Sequence, residues 1–205
     1  MDDGTAAGTR DEKYAGERDV LYRAGWTVLR RNGYANAGIT EILAEAKLGT
    51  RAFYRHFESK DELLVSMFRE SAAATSRALA DRVAAAGPPL NRVRAWIDEI
   101  LAMSHSPRHA EAAKLFASSM QSVFDDAAEE AMADLRAPLL AALAEGAAAG
   151  DFPGCDPEPD AASIQAIVWQ LFLDSVHGRS NLDPEAARAH VERFVLPALG
   201  AESER

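Results

Sequence analysis

The residues between positions 50 and 55 carry side chains that could contact nucleic acid. Thr50, Arg51, Tyr54 and Arg55 recur at the spacing of one helical face and offer a hydroxyl, a phenol and two guanidinium groups. A guanidinium fork can pair with guanine O6 and N7, while hydroxyl and cationic groups bind phosphate oxygens. The pattern indicates a helix whose polar face suits the major groove of a duplex.

Two short apolar patterns, separated by a turn, would position this face. They comprise Ile42, Leu43 and Ala46 before the turn, and Ala52, Phe53 and Phe57 after it, with Leu48-Gly49 between them. A helix-turn-helix requires this arrangement, because its second helix buries one side against the first and leaves the other side open. The sequence therefore predicts a DNA-binding helix-turn-helix.

The flanking segments predict the limits of this domain. An amphipathic helix is expected from Ala15 to Arg31, with Asn32-Gly33 as its stop. Ser59-Lys60-Asp61-Glu62 has the form of a capping box and starts a long helix that Gly87-Pro88-Pro89 ends. We expect a disordered arm over residues 1–14, a helix-turn-helix domain over 15–60 and a second domain over 61–205.

The second domain is also predicted to be helical, because no alternating strand pattern occurs in it. Further helices are expected at about 90–104, 109–120, 124–149, 159–177 and 184–199. Pro138 should kink or split the third of these five helices. The fold class is therefore all-α, with about nine helices in all.

The distribution of charge favours the first domain as the site of nucleic-acid binding. Residues 10–60 hold ten Lys and Arg against seven acidic residues, whereas residues 61–205 hold twelve against twenty-three. The net charge of −10 therefore resides in the second domain, which should repel phosphate.

Composition also limits the cellular setting. No apolar run approaches the roughly 20 residues that span a bilayer, and the first residues lack the basic start and apolar core of a signal peptide. The single cysteine, Cys155, excludes an internal disulfide framework and fits a reducing compartment. A cytoplasmic protein without a membrane partner is expected.

The run from Val20 to Leu64 resembles the N-terminal domain of the TetR/AcrR family of one-component transcriptional regulators. The match rests on Gly33-Tyr34, Ile42-Leu43-Ala44, Phe53-Tyr54-x-x-Phe57 and Lys60. The resemblance covers roughly a quarter of the chain. It implies a regulator that binds a palindromic double-stranded DNA operator as a homodimer.

The resemblance also implies roles for matched residues. Tyr54 and Lys60 would hold phosphates, and His56 fits either a phosphate contact or a core position. Thr50, Arg51 and Thr40 would face base edges, while Arg55 fits a phosphate contact or a solvated charge. The DNA-binding candidates are Thr40, Lys47, Thr50, Arg51, Tyr54, Arg55, His56 and Lys60.

Two positions depart from the family pattern. Ala37-Gly38 stands where a Thr or Ser usually caps the second helix, so one hydroxyl contact to phosphate is missing. Lys47 replaces the usual glycine of the turn, with Gly49 two positions later. Lys47 could add a phosphate contact.

By the same resemblance, the second domain would hold a cavity for a small hydrophobic or aromatic effector. The candidate lining residues are Trp96, Met103, Phe116, Met120, Phe124, Trp169, Phe172 and His177. Each of them also fits ordinary core packing. Effector binding would tilt the long helix after Lys60 and release a repressor from DNA.

The last two predicted helices suggest how two chains would assemble. The helix from Ile164 to Val176 is apolar on almost every side, and the last helix presents Val191, Phe194, Val195 and Leu199. Pairing both with their copies would form a four-helix homodimer interface, and packing inside one monomer is the alternative.

No enzymatic motif, catalytic residue or cofactor site is predicted. His105 and His109 have the spacing of metal ligands on a helix, but Pro107 between them favours a loop, so no metal site is expected. The competing function is a helical small-molecule-binding protein that has lost DNA recognition, as Gly38, Lys47 and the acid excess would allow.

Overall fold

The computed structural model describes residues 5–117, 121–180 and 183–201, and side-chain surroundings for 16–107, 109–113, 124–180 and 183–201. These residues form helices and no strand, which confirms the predicted all-α class. The helices are α1 (Thr5–Asn36), α2 (Ile39–Ala46), α3 (Thr50–His56), α4 (Lys60–Ala85), α5 (Pro89–Met103), α6 (Pro107–Ala117), α7 (Gln121–Ala149), α8 (Pro157–Val176) and α9 (Pro184–Leu199).

The first helix begins earlier than its sequence pattern suggests. We expected an unstructured arm over residues 1–14, but the backbone is helical from Thr5, while residues 1–4 lie outside the described part. The added turns contain alanine, arginine, glutamate and lysine, which are good helix formers. At the other end, Gly33 (φ 71°, ψ 171°) interrupts the helix at the predicted stop.

Contacts divide the chain into two units. The first comprises residues 1–70 and 115–125, and the second comprises 71–114 and 126–205. The long helix α4 therefore contributes its first eleven residues to the first unit and the rest to the second. Segment 115–125 groups with the N-terminal unit, although the sequence predicts a single boundary at residue 60.

The core of the first unit joins the helices that were expected to form the DNA-binding domain. Its buried residues include Leu21, Val28, Ile42, Phe53, Phe57, Leu63, Leu64 and Met67. Phe124 belongs to the same core, where its ring meets Tyr34 and Phe68 edge-on at centroid distances of 5.7 and 5.9 Å. Phe124 was a candidate effector contact, but the structure places it beside the helix-turn-helix.

The core of the second unit is built mainly from α5, α7, α8 and α9. Trp96, Met103 and Phe172 are buried in it, and Trp169 packs at its edge. α5 contacts both α8 and α9, which cover its apolar face. Large apolar residues that the sequence suggests for an effector cavity thus serve first as packing.

Pro138 does not split α7, which runs from Gln121 to Ala149. Proline lacks an N–H, so it cannot support the helical ladder at its own position. In the preceding turn, the carbonyl of Leu135 accepts from Trp96 Nε1 at 2.7 Å, and the carbonyl of Met132 accepts from Gln165 Nε2 at 2.7 Å. Side chains of α5 and α8 therefore bind the backbone of α7 just before the proline.

Across the described parts of the chain, no helix combines the length and hydrophobicity needed to span a membrane.

Candidate nucleic-acid interface

The start of α2 is organised by a carboxylate. Its N-cap is Gly38 (φ −93°, ψ 151°), which offers no side chain to the first N–H groups. Glu41 supplies the returning half of a capping box, because its Oε2 accepts from the Gly38 N–H at 3.4 Å. The same oxygen accepts from Asn32 Nδ2 at 2.8 Å, which ties the end of α1 to α2.

The turn between α2 and α3 retains a left-handed residue without using glycine. Lys47 has φ 54° and ψ 37°, and it is the one non-glycine residue with positive φ in the described chain. Its N–H donates to the Ala44 carbonyl at 3.3 Å, and the Leu48 N–H donates to the Leu43 carbonyl at 3.1 Å. These bonds complete a helix C-cap, so the turn keeps its shape at a conformational cost.

α3 has the two faces that its sequence predicts. Ala52 and Phe53 are buried, while the four polar candidates Thr50, Arg51, Tyr54 and Arg55 are exposed. Tyr54 is 57% exposed, and its ring lies edge-on to the ring of Phe53, with the two ring centroids 5.3 Å apart. This aromatic contact positions the Tyr54 hydroxyl on the exposed face of α3.

The two arginines of α3 differ in their surroundings. Arg55 Nη1 donates to Glu17 Oε2 of α1 at 2.9 Å, and His56 Nε2 lies 3.2 Å from the same oxygen. Arg51, one turn earlier, is exposed and has no ion pair among the described residues. Arg55 and His56 are therefore held against α1 by Glu17, whereas Arg51 lies on the surface of the domain.

Lys60 opens α4 next to the corner between α1 and α2. The predicted cap is present, because the Glu62 N–H donates to Ser59 Oγ at 3.0 Å. Lys60 Nζ donates to the Tyr34 carbonyl at 3.4 Å and lies 4.7 Å from the centre of the Tyr34 ring. The ammonium group is held at a helix N-terminus, where an anion is favoured.

Tyr34 fixes this corner through its phenol. The hydroxyl donates to Asp61 Oδ1 at 2.8 Å. Burial, together with the hydrogen bond to Asp61 and the charge of its carboxylate, raises the pKa of Tyr34 to about 12. The phenol therefore stays neutral at physiological pH and keeps its hydrogen bond.

The sequence did not predict the roles of Glu17 or the contact between Asn32 and Glu41. Glu17 precedes Leu21, Ala24 and Val28 at helical spacing, so it stands in line with the buried stripe of α1. A carboxylate in an apolar stripe indicates a paired acid, and that pattern was available in the sequence. Its partners were not, because Arg55 and His56 lie almost forty residues away.

The remaining DNA-binding candidates are surface residues. Thr40 lies in the first turn of α2, and Lys47 lies in the turn, both with exposed side chains. Together with Thr50, Arg51 and Tyr54 they belong to the helix-turn-helix segment that the sequence singled out.

The described effector-binding candidates fall in both units. Trp96, Met103, Trp169, Phe172 and His177 belong to the second unit, whereas Phe124 belongs to the first. Trp169 stacks on Phe172 with ring centroids 4.6 Å apart, and His177 is exposed at the end of α8, with Nδ1 2.7 Å from the Leu173 carbonyl oxygen. The Phe116 side chain and Met120 lie outside the described residues.

An apolar groove runs between α8 and α9. Ile167 and Phe194 line it and are 40% and 54% exposed, which is unusual for large apolar side chains in this structure. Ile164, Val195 and Leu199 form its floor. These two helices are the ones from which the sequence predicts a homodimer.

The histidine pair is separated by a helix boundary. Pro107 begins α6, so His105 lies in the preceding turn and His109 in the first turn of the helix. Among the described residues, no group of three or more His, Cys, Asp and Glu side chains is arranged to hold a metal ion.

Comparisons with known proteins agree with this architecture. Residues 21–67 match the family model described as bacterial regulatory proteins, tetR family. No curated protein matches the chain significantly.

Solved structures share the fold over most of the chain. A TetR transcription regulator from Haloarcula marismortui ATCC 43049 has a TM-score of 0.74 at 22% identity, covering 88% of this chain and 97% of that one. A transcriptional regulator from Pseudomonas aeruginosa PAO1 gives 0.75 at 22%, covering 89% and 90%. FadR from Bacillus subtilis, solved with stearoyl-CoA, gives 0.71 at 16%, covering 87% and 97%.

The chain thus has a helix-turn-helix at the start of an all-α fold, as the transcriptional regulators of similar structure do. Over residues 21–67 the chain is similar to the tetR family of bacterial regulatory proteins, and it shares the fold of the regulators above.

Proposed function

We propose that the chain is a cytoplasmic, homodimeric repressor that leaves a palindromic operator when a small hydrophobic or aromatic molecule binds its second unit. The main support is that α3 has two distinct faces. It buries Ala52 and Phe53 and exposes Thr50, Arg51 and Tyr54. Short helices with this division of faces enter the major groove of DNA.

The surface side chains divide by chemistry into two kinds of DNA contact. Arg51 is proposed to contact base edges, because its guanidinium is exposed and not engaged in an ion pair within the described chain. Thr40 and Thr50 are further candidates for base contacts. Tyr54, Lys47 and Lys60 are proposed to bind phosphates through a phenol and two ammonium groups.

Arg55 and His56 take a different place in this proposal. Both share Glu17 as a partner, so their first role is to hold the end of α3 against α1. Phosphate contacts are assigned instead to the exposed Lys47 and Tyr54 and to the half-buried Lys60 at the start of α4.

Dimer formation is proposed at the groove between α8 and α9. Ile167 and Phe194 expose apolar surface there, and burying it against a second copy would be favourable. Two copies would present two α3 helices to half-sites about 34 Å apart, the distance of one helical turn of DNA.

The effector is proposed to bind the second unit, where the residues available to line a cavity are mainly large and apolar. FadR from Bacillus subtilis, with the same fold, was solved with stearoyl-CoA. The effector must favour the DNA-incompetent arrangement, and a 100-fold preference supplies about 2.7 kcal/mol of coupling.

A second candidate function is a small-molecule-binding protein that has lost DNA recognition. Glycine at both N-caps of the helix-turn-helix, Gly38 and Gly49, and the pairing of Arg55 with Glu17 favour this alternative, because each removes a possible phosphate contact. Binding to the DNA that flanks the gene separates the two candidates.

Gel-shift titrations of wild type and two variants test the assignment of contacts. Arg51→Ala should change the order of preference among operator variants, with a loss of about 1–3 kcal/mol at the base it contacts. Lys60→Ala should weaken all sequences alike and reduce the salt dependence by about one phosphate contact. If both substitutions lower affinity uniformly, Arg51 does not contact a base, and if wild type shifts no DNA, the repressor proposal fails.

A further inference from the structure

Glu17 is a carboxylate placed between two basic residues of the recognition helix. One oxygen, Oε2, lies 2.9 Å from Arg55 Nη1 and 3.2 Å from His56 Nε2. The side chains of Glu17 and His56 are only 13% and 12% exposed, so this contact is largely shielded from water. It connects α1 to the last turn of α3 across almost forty residues of sequence.

This contact gives the two arginines of α3 different electrostatic character. They are four residues apart and therefore lie on the same side of the helix. Arg55 is neutralised by Glu17, whereas Arg51 has no ion pair in the described part of the chain. Two equivalent arginines on one short helix would both attract phosphate, whatever the base sequence.

We propose that Glu17 is a positioning and specificity-determining residue for DNA recognition. It holds the last turn of α3 against α1 and neutralises Arg55, so that the helix presents the single charge of Arg51 to DNA. The inference rests on the proposed DNA binding. It adds which of the two arginines of α3 contacts DNA.

The energetic argument concerns competition between specific and non-specific sites. Each additional phosphate contact steepens the salt dependence of binding by about 0.9 in log K against log salt, for every sequence. Such a contact raises affinity for non-specific DNA without improving base discrimination. By engaging Arg55 internally, Glu17 keeps this sequence-independent attraction low on a domain that must select one site.

The test compares wild type with Glu17→Gln on two duplexes, one of unrelated sequence and one carrying the sequence that wild type protects. Loss of the negative charge should release Arg55 to bind phosphate. The salt slope should steepen by about 0.9, and non-specific affinity should rise on the order of tenfold near 0.1 M salt, with a smaller specificity ratio. An unchanged slope and ratio would overturn the proposal.

Two further variants separate positioning from a general charge effect. The double variant Glu17→Gln, Arg55→Gln should return to the wild-type slope, because no additional guanidinium is available. Glu70→Gln removes the same charge from the first unit and ends its contact with Arg18 of α1, 3.9 Å away. Arg18 Nε still donates to the Tyr22 hydroxyl at 2.9 Å, so the slope should match wild type. A Glu70→Gln slope as steep as that of Glu17→Gln would attribute the effect to net charge alone.

Arg55→Gln alone keeps the test valid if Glu17→Gln fails to fold. Arg55 is exposed, and His56 still faces Glu17 in this variant. Its salt slope should equal that of wild type, and a slope shallower by about 0.9 would show that Arg55 already contacts phosphate, contrary to the proposal. If wild type binds neither duplex, DNA binding itself is refuted. If wild type binds and the variants behave otherwise, only the role of Glu17 is refuted.

Discussion

Lys47 occupies the left-handed position that ends α2, where a residue with a β-carbon has a conformational cost. Glycine removes this cost, but it also makes the unfolded chain more flexible, which reduces the gain in stability. Lys47→Ala keeps the β-carbon and removes the rest of the side chain, so it is the reference for the effect of the backbone conformation. We expect Lys47→Gly to have a free energy of unfolding about 1 kcal/mol higher than Lys47→Ala, measured by urea denaturation. Equal stability of the two variants would mean that this backbone position is not strained.

Cys155 is a second residue whose surroundings predict its chemistry. Burial, followed by the hydrogen bond and charge of Asp160 and the charge of Asp156, raises its pKa to about 11. Burial and acidic neighbours therefore both oppose thiolate formation. A redox-sensing thiol requires the opposite shift.

We therefore expect slow alkylation of Cys155 in the folded protein. At neutral pH its thiolate fraction should be roughly a hundredfold below that of an unperturbed thiol, since the pKa rises from 9.0 to about 11. Iodoacetamide labelling followed by mass spectrometry measures the rate, with the guanidinium-unfolded protein as control. Equal rates in the folded and unfolded protein would contradict the buried, protonated thiol.

At the scale of elements, features that rest on local sequence were the most predictable. Ser59 and Asp183 cap α4 and α9 through hydrogen bonds of 3.0 and 2.8 Å to N–H groups three residues on. Both caps use local sequence, and the Ser59 cap was predicted from the capping box without a structure. The two faces of α3 were predictable for the same reason, because helical spacing alone decides them.

Features that depend on distant residues were not predictable. Phe124 was expected in an effector cavity, and its position against Tyr34 and Phe68 depends on residues more than fifty positions away in the sequence. Glu17 was overlooked because its partners lie at the end of α3. Apolar character alone does not distinguish a cavity wall from a packed core.

Two glycines inside helices give opposite predictions for the same substitution. A β-carbon on Gly146 of α7 would lie 2.2 Å from the ring of Phe152, whereas one on Gly16 of α1 would meet nothing within 4 Å. Gly146→Ala should therefore destabilise the fold by roughly 1–3 kcal/mol. Gly16→Ala should stabilise it by about 0.5–1 kcal/mol through helix propensity.

Urea denaturation of both alanine variants measures these changes in the free energy of unfolding. The two substitutions add the same methyl group to helical glycines, so each serves as the control for the other. If Gly146→Ala is as stable as wild type, Phe152 does not depend on a glycine opposite its ring.

At the scale of the molecule, the groove between α8 and α9 is the proposed dimer interface. Phe194→Glu places a charge on its most exposed apolar residue and should weaken dimerisation at least about tenfold. Sedimentation velocity measures the dimer fraction, and Ala144→Glu, on an exposed position of α7, controls for added charge. A fully dimeric Phe194→Glu variant would place the interface elsewhere.

The separation of charge along the chain favours DNA binding by the helix-turn-helix and not by the second unit. The basic residues concentrate in residues 10–60, while residues 61–205 carry a large acidic excess. An acidic second unit is repelled by phosphate, so the helix-turn-helix remains as the favourable surface for DNA. This division was evident from sequence, because it needs only the order of charges.

The most direct test of the central claim is a footprint of the wild-type protein on the DNA flanking its own gene, in low and physiological salt. We predict a protected palindrome whose half-site centres lie about 10 base pairs, or a multiple of one helical turn, apart. Arg51→Ala should lose this protection while keeping weak, salt-sensitive binding to all sequences. Absence of a protected palindrome under both salt conditions would contradict the assignment of this chain as an operator-binding repressor.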